Sequence, residues 1–306
     1  MANDPRWPAL SAERDGPTIA ALHLFSQVIG KVPTAVLPWR NHGWHLTLHV
    51  GPRGLATEPV HAATGTFTLA LDLAGNQVVY EDMAGRSAAS LASMSVADFH
   101  ERVFDMLTAA GHDIVIHPAP NEIDPALPFA EDTAPRTYDP ESARHLLGAL
   151  ISADRIFRLF RSAFLGKVSP VHFFWGSFDM AVTRFSGRRA PTHPGAPNIA
   201  DFVTREAYSH ECSSCGFWPG GPGLPEPAFY AYAYPAPEGF GSAPVRPAAA
   251  HFHQALSEFI LPYEAVRRAA DPDAELMEFL QSTYEAAADL GRWDRAALER
   301  PPRSTA

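Results

Sequence analysis

The hydrophobic and polar positions along this chain predict helices and strands that occur twice in a similar order. Apolar residues at helical spacing predict a first helix from near Thr18 to Gly30, because glycine is a common helix stop. Segments with strand-like patterning follow, and a short Ala-Gly-Asn turn joins two of them. The predicted strands cover 44–50, 66–73 and 77–81, followed by a helix over 95–110 and a short strand over 114–116.

The later part of the chain repeats this order with longer loops. Asp139 as N-cap, Pro140 in the first turn and Glu141 beside the helix dipole predict a helix that ends at Gly166. The remaining predicted elements are strands over 178–185 and 229–234 and an amphipathic helix over 271–291.

One segment of the chain resembles another at an offset of 136 residues. Eight of the 30 positions in 24–53 are identical to their partners in 160–189. The identical pairs are Ser26/Ser162, Gly30/Gly166, Lys31/Lys167, Val32/Val168, Trp39/Trp175, Thr47/Thr183, Gly51/Gly187 and Arg53/Arg189. We interpret this similarity as an internal duplication, with the glycines as helix stops and the tryptophans as core residues.

The repeat predicts an α+β fold of two pseudo-repeated halves. Each half would carry antiparallel strands and flanking helices, around sheets that are shared or packed together. The first half would span 1–135, and the second half, with its longer loops rich in proline, glycine and aromatic residues, would span 136–306. We expect one compact unit.

Composition and charge narrow the class of protein. The 306 residues are 46% hydrophobic and 19% charged, which is typical of a globular chain with a sizeable core. A formal net charge of −10 disfavours nucleic acid as a partner. The chain has no run of 18 apolar residues and no signal-like N-terminus, so we expect a cytoplasmic protein without a membrane partner. The oligomeric state stays open.

Candidate ligand-binding residues concentrate in the second half. Arg184 and Arg189 present the planar fork that binds carboxylate or phosphate, which predicts an anionic small-molecule ligand. Pairing with local carboxylates is the alternative. Tyr230 and Tyr232 alternate along one strand face and belong either to the core or to an aromatic pocket wall, and Trp218 would cover a bound substrate.

The Cys212-Ser213-Ser214-Cys215 segment is open to three interpretations. A Cys-x-x-Cys in a tight turn brings both sulfurs to one zinc ion, with His210 as a third ligand. Cys215 is alternatively a reactive thiol, although no helix N-terminus is evident that would lower its pKa. Ordinary buried residues are the third interpretation.

A metal site through histidine and carboxylate is a further hypothesis. His172, His210 and Glu211, with Asp179 nearby, would form a two-histidine, one-carboxylate set that suits a divalent ion such as Zn or Fe. His45 and His49 are excluded as a pair, because residues four apart on a strand lie about 13 Å apart. The cofactor itself stays unassigned. The chain has no G-x-G-x-x-G, Walker A, H-E-x-x-H or G-x-S-x-G motif, so no nucleotide cofactor is expected.

Several long motifs resemble a bacterial family that is known only as a domain of unknown function, number 5996. They lie at 38–45, 169–179, 206–211 and 215–221, and the resemblance extends over about 7–299. It implies a bacterial, single-chain, soluble protein. The family carries no activity, substrate or cofactor that could be transferred to these residues.

The leading functional hypothesis is an enzyme that acts on a small anionic metabolite. The class is open between a metal-dependent oxidoreductase and a hydrolase or lyase; His172, His210 and Glu211 would bind a metal or transfer protons. The catalytic candidates are His172, Asp179, His210, Glu211 and Cys215. The alternatives are a non-catalytic binding or sensory protein that uses the same pocket, and thiol chemistry at Cys215.

Overall fold

The structure is a computed structural model that describes residues 4–196 and 199–301. Its helices are α1 Ala12–Val36, α2 Val96–Ala109, α3 Pro140–Ser162, α4 Asp201–Ala207, α5 Tyr263–Arg268, α6 Pro272–Leu290 and α7 Arg295–Leu298. The strands of the first half are β1 His49–Val50, β2 Gly54–Ala56, β3 Val60–Ala62, β4 Gly65–Asp72, β5 Gln77–Asp82 and β6 Arg86–Ser90. The strands of the second half are β7 His172–Phe174, β8 Asp179–Arg189, β9 His210–Trp218, β10 Ala228–Tyr234, β11 His251–His253 and β12 Glu258–Pro262.

The strands form two antiparallel sheets of six strands each. The first sheet has the order β1-β2-β4-β5-β6, with β3 paired to β4, and the second has the order β11-β12-β10-β9-β8-β7. Each sheet lies after one long helix and before another in the chain, which confirms the predicted α+β fold in two halves. The strands predicted over 66–73, 77–81, 178–185 and 229–234 correspond to β4, β5, β8 and β10.

Each sheet buries one face against helices of its own half. In the first sheet, Phe67, Leu69 and Tyr80 lie on the face that α1 and α2 cover, whereas Thr66 and Glu81 on the other face are exposed. Strand alternation explains this division, because successive side chains point to opposite faces. In the second sheet, α3 and α6 cover one face, and the other face points towards the first half.

The two halves are joined by helix packing and by one short strand contact. Helices α1 and α3 pack against each other. Leu48, just before β1, donates its N–H to the carbonyl of Phe173 at 2.7 Å, and Phe173 donates back to Leu48 at 2.9 Å. These two hydrogen bonds place β1 next to β7.

Helix α1 is longer than its pattern predicts. Ser11 caps its first turn by accepting a hydrogen bond from the Arg14 N–H at 3.1 Å, well before the predicted start at Thr18. The predicted stop at Gly30 is wrong, because the helix continues to Val36. A side chain at residue 30 would overlap the indole of Trp175 in the turn after β7, so this glycine leaves room for that indole and does not end the helix.

The segment between α1 and β1 also differs from the expected strand over 44–50. Residues Asn41–Gly43 form a 3₁₀ turn in which His42 has a φ of 58°, and only His49–Val50 pair as a strand. The expected strand over 114–116 does not form either. The tryptophan equivalence is likewise incomplete, since Trp39 is 40% exposed and Trp175 is 6% exposed.

Among the described residues, α1 is the one helix whose length and composition would suffice to cross a membrane. In its most apolar stretch, 67% of the residues are buried inside the protein. This burial is typical of a core helix, and it agrees with the packing of α1 against α3 and the first sheet.

Candidate functional site

A cavity of about 870 Å³ lies between the two halves. Its main wall is the face of the second sheet that α3 and α6 leave uncovered, made by alternate residues of β8, β9, β10 and β12. The first half contributes the end of α1 and the segments 42–46 and 117–122, and α4 contributes a further wall. A volume in the range of about 300–1,000 Å³ is typical of small-molecule sites.

The cavity is lined largely by aromatic rings. Trp39 and Trp44 come from the first half, whereas the second half provides the larger share. The second-half rings are those of Phe174, Trp175, Phe185, Phe202, Tyr208, Trp218, Tyr230 and Tyr232. Trp175 Nε1 is buried without a hydrogen-bond partner in the part of the chain that the structure describes. A ligand in this cavity would therefore contact flat, apolar surfaces that carry a few polar groups.

Asp179 is the buried polar centre of the sheet wall. It accepts hydrogen bonds from the hydroxyls of Ser177 and Tyr230. Tyr230 lies two strands away from Asp179, a separation of about 10 Å between strand axes, and its ring crosses β9 to reach that carboxyl group. Gly216 makes this crossing feasible, because a Cβ there would overlap the Tyr230 ring. Burial raises the pKa of Asp179, although both hydrogen bonds act in the opposite direction.

Glu122 and Glu258 approach the same cavity from different sides. Glu258 begins β12 at the far side of the sheet, and Glu122 lies in the 117–122 segment, with its carboxylate against Gly176. Neither carboxyl group has a lysine or arginine nitrogen within 4.0 Å among the residues 4–196 and 199–301. Burial and the charge of Asp179 raise the pKa of Glu122 to about 7 and that of Glu258 to about 7. Both groups can therefore exchange protons near neutral pH.

Lys31, in α1, brings an amine to the cavity. Its side chain is 4% exposed, its Nζ donates to Asn121 Oδ1, and the ammonium lies 5.3 Å from the ring centroid of Trp175. Burial lowers the pKa of Lys31 to about 8. The amine therefore reaches its neutral form at a lower pH than an ordinary lysine would.

His42 is held in one tautomer by two contacts. Its Nδ1 donates to the carbonyl of Ala207 at 3.0 Å, and its Nε2 accepts from Lys167 Nζ at 2.5 Å. Burial lowers the pKa of His42, and the Lys167 charge acts in the same direction. The imidazole is therefore neutral at physiological pH, and it links the first half to α4.

Four of the residues that the sequence singled out line the cavity: Asp179, Trp218, Tyr230 and Tyr232. Tyr232 shares a hydrogen bond with Tyr208, their hydroxyls being 2.9 Å apart. The tyrosine face therefore forms a pocket wall and not a core layer.

The expected arginine anchors lie elsewhere. Arg184 is 1% exposed on the opposite face of β8, with its guanidinium 3.4 Å from the Phe160 ring centroid and 4.3 Å from that of Tyr284. It donates to the Phe160 carbonyl and is not part of the cavity lining. Arg189 is exposed at the end of β8, opposite His210 in the register. Arg188 pairs with Glu211 at 2.6 Å, as in the local pairing that was the alternative.

The two cysteines lie on a strand and not in a turn, so the geometry expected for a shared zinc is wrong. Cys212 and Cys215 are three residues apart on β9 and therefore point to opposite faces. Cys212 lines the cavity, whereas the Cys215 thiol lies in the core, 3.7 Å from the Val182 carbonyl. Burial raises the pKa of Cys215 to about 12, which disfavours the thiolate that a nucleophile requires.

The expected metal ligands are not brought together. His172 pairs with Ala181 and His210 pairs with Arg189, so the two histidines lie near opposite ends of β8. Glu211 points away from the cavity and accepts from Ser186 at 2.8 Å. The structure shows no group of three His, Cys, Asp or Glu side chains that fits a metal ion within the residues it describes.

His172 and His210 lie outside the cavity lining. His172 is buried beside His49 and Trp44, and burial lowers its pKa to about 3, which keeps it neutral. The His210 ring lies 5.9 Å from that of His42, at the margin of the cavity.

Sequence reasoning missed the polar groups that the first half and β12 contribute. Lys31, His42, Glu122 and Glu258 are distant from one another in sequence, and no motif connects them. One signal was available for Lys31, because it is one of the identical residues of the repeat. Glu122 and Glu258 had no such signal.

Similarity to a known family extends over nearly the whole chain. A family model described as a family of unknown function (DUF5996) matches residues 7–300. The chain belongs to this family. The match covers both halves and therefore the whole cavity between them. No curated protein and no solved structure matches the chain.

Proposed function

We propose that the cavity is the active site of an enzyme that transfers protons, through Glu122 and Glu258, to and from a small organic molecule. The observation that carries this proposal is the grouping of two unpaired glutamates around the buried Asp179 in one aromatic cavity. A general acid and a general base need pKa values near the working pH. Unpaired carboxyl groups in a cleft are also uncommon unless a ligand or a reaction uses them.

The substrate that suits this cavity is neutral or positively charged. The three carboxyl groups of Glu122, Asp179 and Glu258 disfavour a bound anion. Lys31 is the lysine that lines the cavity, and no arginine is among the described lining residues. Of the arginines that suggested an anionic ligand, Arg184 is buried on the opposite face of β8 and Arg189 is exposed at the end of that strand. Aromatic walls favour a flat or apolar body, and they bind cations through their ring faces.

A matched set of probes tests the charge preference. Benzylamine, benzyl alcohol and benzoate share one ring and differ in charge, so their effects on the thermal unfolding temperature at pH 7.5 can be compared directly. We expect benzylamine and benzyl alcohol to raise this temperature more than benzoate does. Stronger stabilisation by benzoate would overturn the assignment of substrate charge.

Turnover distinguishes the enzyme from a protein that only binds. Compounds that stabilise the protein would be incubated with it and followed by mass spectrometry. We expect Glu122→Gln and Glu258→Gln to retain ligand stabilisation and to lose at least about 100-fold in rate, as is typical when a general acid or base is removed. Glu81→Gln, on the exposed face of the first sheet, is the matched control. Stabilising ligands that neither the wild-type protein nor Glu81→Gln converts would favour the binding or sensory alternative.

A further inference from the structure

The chain contains only two lysines, against 22 arginines, and both lie beside the contact between the halves. They are Lys31 and Lys167, the identical lysines of the two Gly-Lys-Val segments. Arginine makes most of the ion pairs at the surface, and it also occupies one fully buried position, at Arg184 on the face away from the cavity. A lysine kept at a buried position in such a chain suggests a role that arginine does not fill. A primary amine that can lose its proton is the chemical difference between them.

The two lysines differ in what their amines contact. Lys167 Nζ lies 2.5 Å from His42 Nε2 and above the rings of Trp44 and Phe185. Its hydrogen-bond partner among the described residues is therefore the imidazole of His42. Lys31 Nζ contacts the neutral amide oxygen of Asn121 and lines the cavity, which Lys167 does not.

Within residues 4–196 and 199–301, no carboxylate lies within 4.0 Å of the Lys31 amine. The titratable groups on the elements around it are Glu122 and His117 in the 117–122 segment and Asp179 on β8, and neither carboxyl group lies within 4.0 Å of Nζ. Asn121 Oδ1 is its hydrogen-bond acceptor among the residues that are described. Burial without a nearby counter-charge favours the neutral amine.

We propose that Lys31 is a nucleophile of this cavity and forms an imine with an aldehyde or ketone substrate. The inference rests on the proposed function in that the same cavity is the active site. It adds the substrate class, a small carbonyl compound, and a covalent step.

The protons and electrons of this step balance within the cavity. The lone pair of the neutral Lys31 amine forms a C–N bond to the carbonyl carbon, while the C=O π electrons move to oxygen. The nitrogen loses one proton and the oxygen gains one, which gives a carbinolamine. A second proton from a cavity carboxylic acid such as Glu122 then lets the hydroxyl leave as water, and the nitrogen lone pair forms the protonated C=N bond. No oxidant or reductant is needed.

Reductive trapping tests this inference without knowledge of the natural substrate. The full-length protein would be treated with benzaldehyde and sodium cyanoborohydride at pH 7.5, and the benzyl adducts would be assigned by peptide mass spectrometry. Because the chain has two lysines, only three kinds of peptide need to be compared, the third carrying the α-amino group. We expect Lys31 to be labelled at least tenfold faster than Lys167, and benzyl alcohol to protect Lys31 alone. Equal labelling of both lysines, or no protection, would overturn the inference.

Two variants separate nucleophilicity from mere exposure. Lys31→Arg keeps a cation but cannot form an imine, so the cavity adduct should disappear while Lys167 labelling is unchanged. Asn121→Asp places a carboxylate beside the amine and holds it protonated; we expect labelling at pH 7.5 to slow about tenfold for each unit by which the Lys31 pKa rises, and to recover at higher pH. An Asn121→Asp protein that is labelled at the wild-type rate at every pH would contradict the role given to the neutral amine.

The outcomes for the two proposals can be told apart. Selective labelling of Lys31 together with full turnover by both Glu122→Gln and Glu258→Gln would support the imine and remove the carboxyl acid–base proposal. Loss of turnover in Glu258→Gln without selective labelling of Lys31 would support the carboxyl acid–base proposal and remove the imine.

Discussion

The two sheets have the same number of strands, yet within the described residues the large cavity lies against the second sheet. Both are antiparallel, and both bury one face against helices of their own half. In the first sheet the other face, with Thr66 and Glu81, meets solvent. In the second sheet the corresponding face is enclosed by segments of the first half and by α4. The halves therefore differ in what covers the second face of the sheet, in addition to the order of their strands.

The two repeated lysines show how the halves enclose this site together. Lys31 of the first half lies 5.3 Å from the ring centroid of Trp175 in the second, and Lys167 of the second half lies 5.5 Å from that of Trp44 in the first. Each lysine therefore contacts a tryptophan of the other half. The contacts differ at the amine, where Asn121 accepts from one and His42 from the other. The two lysines therefore pack against tryptophans in a similar way, but their amines have different hydrogen-bond acceptors.

The largest effect is expected where the halves touch most closely. In Gly30→Ala the new Cβ would overlap the Trp175 indole, which must then move away from α1. Overpacking of this kind costs about 1–3 kcal/mol, and the better helix propensity of alanine returns only about 1 kcal/mol. We expect a net loss of up to about 2 kcal/mol in the free energy of unfolding, measured by denaturant titration, and weaker binding of cavity probes.

Gly16→Ala provides the control in the same helix. A Cβ at residue 16 meets no atom within 4 Å, so this variant should be stabilised by about 0.5–1 kcal/mol. If both variants are stabilised alike, then the absence of a side chain at Gly30 is not required for the contact between α1 and Trp175.

A smaller effect is expected within the sheet wall itself. Gly216→Ala would push the Tyr230 ring away from β9 and break its hydrogen bond to Asp179. A buried carboxyl group that loses a partner costs about 1–3 kcal/mol, and relaxation of the tyrosine side chain reduces this cost. We expect a loss of about 1–1.5 kcal/mol in stability and a larger proportional loss of probe affinity.

Tyr230→Phe is the control for Gly216→Ala, because it removes the hydrogen bond to Asp179 without adding a Cβ at residue 216. Similar probe affinities for the two variants would assign the effect to the hydrogen bond. An unchanged affinity in Gly216→Ala would show that the Tyr230 position is unimportant for the ligand.

The sequence predicts the architecture better than the site. Alternation along 229–234 identifies both strand β10 and the shared face of its tyrosines, because that information is local. Helix α1 is predicted with wrong ends, since the reason that Gly30 is a glycine is a tryptophan 145 positions later in the chain. A glycine pattern cannot distinguish a helix stop from a close tertiary contact.

In the site, too, the residues on regularly patterned strands were predictable and those placed by long-range contacts were not. Asp179, Trp218, Tyr230 and Tyr232 lie on strands with readable patterning, and the structure places them in the cavity. Arg184 shares a strand with Asp179, but the difference of five residues between them reverses the face. Glu122 and Glu258 lie in segments without regular patterning or at a strand end, so only the tertiary fold brings them near Asp179.

The smallest effect concerns the pH dependence of stability. Burial and the charge of Asp179 raise the pKa of Glu258 to about 7, from an ordinary value of 4.5. Between these two pH values the folded protein binds more protons at this group than the unfolded chain does, so its contribution to stability is present at acidic pH and is lost as the pH rises through 7. Glu258→Gln does not titrate. We therefore expect it to unfold at a temperature similar to that of the wild type at pH 5 but at a higher temperature at pH 8, with a difference of about 1 kcal/mol, because water in the cavity screens part of the charge. Glu81→Gln on the solvent-facing side of the first sheet should show no such divergence. If the unfolding temperatures of wild type and Glu258→Gln change with pH in the same way, then the pKa of Glu258 is not raised. The enclosed face of the second sheet would then affect a carboxyl group no more than the open face of the first sheet does.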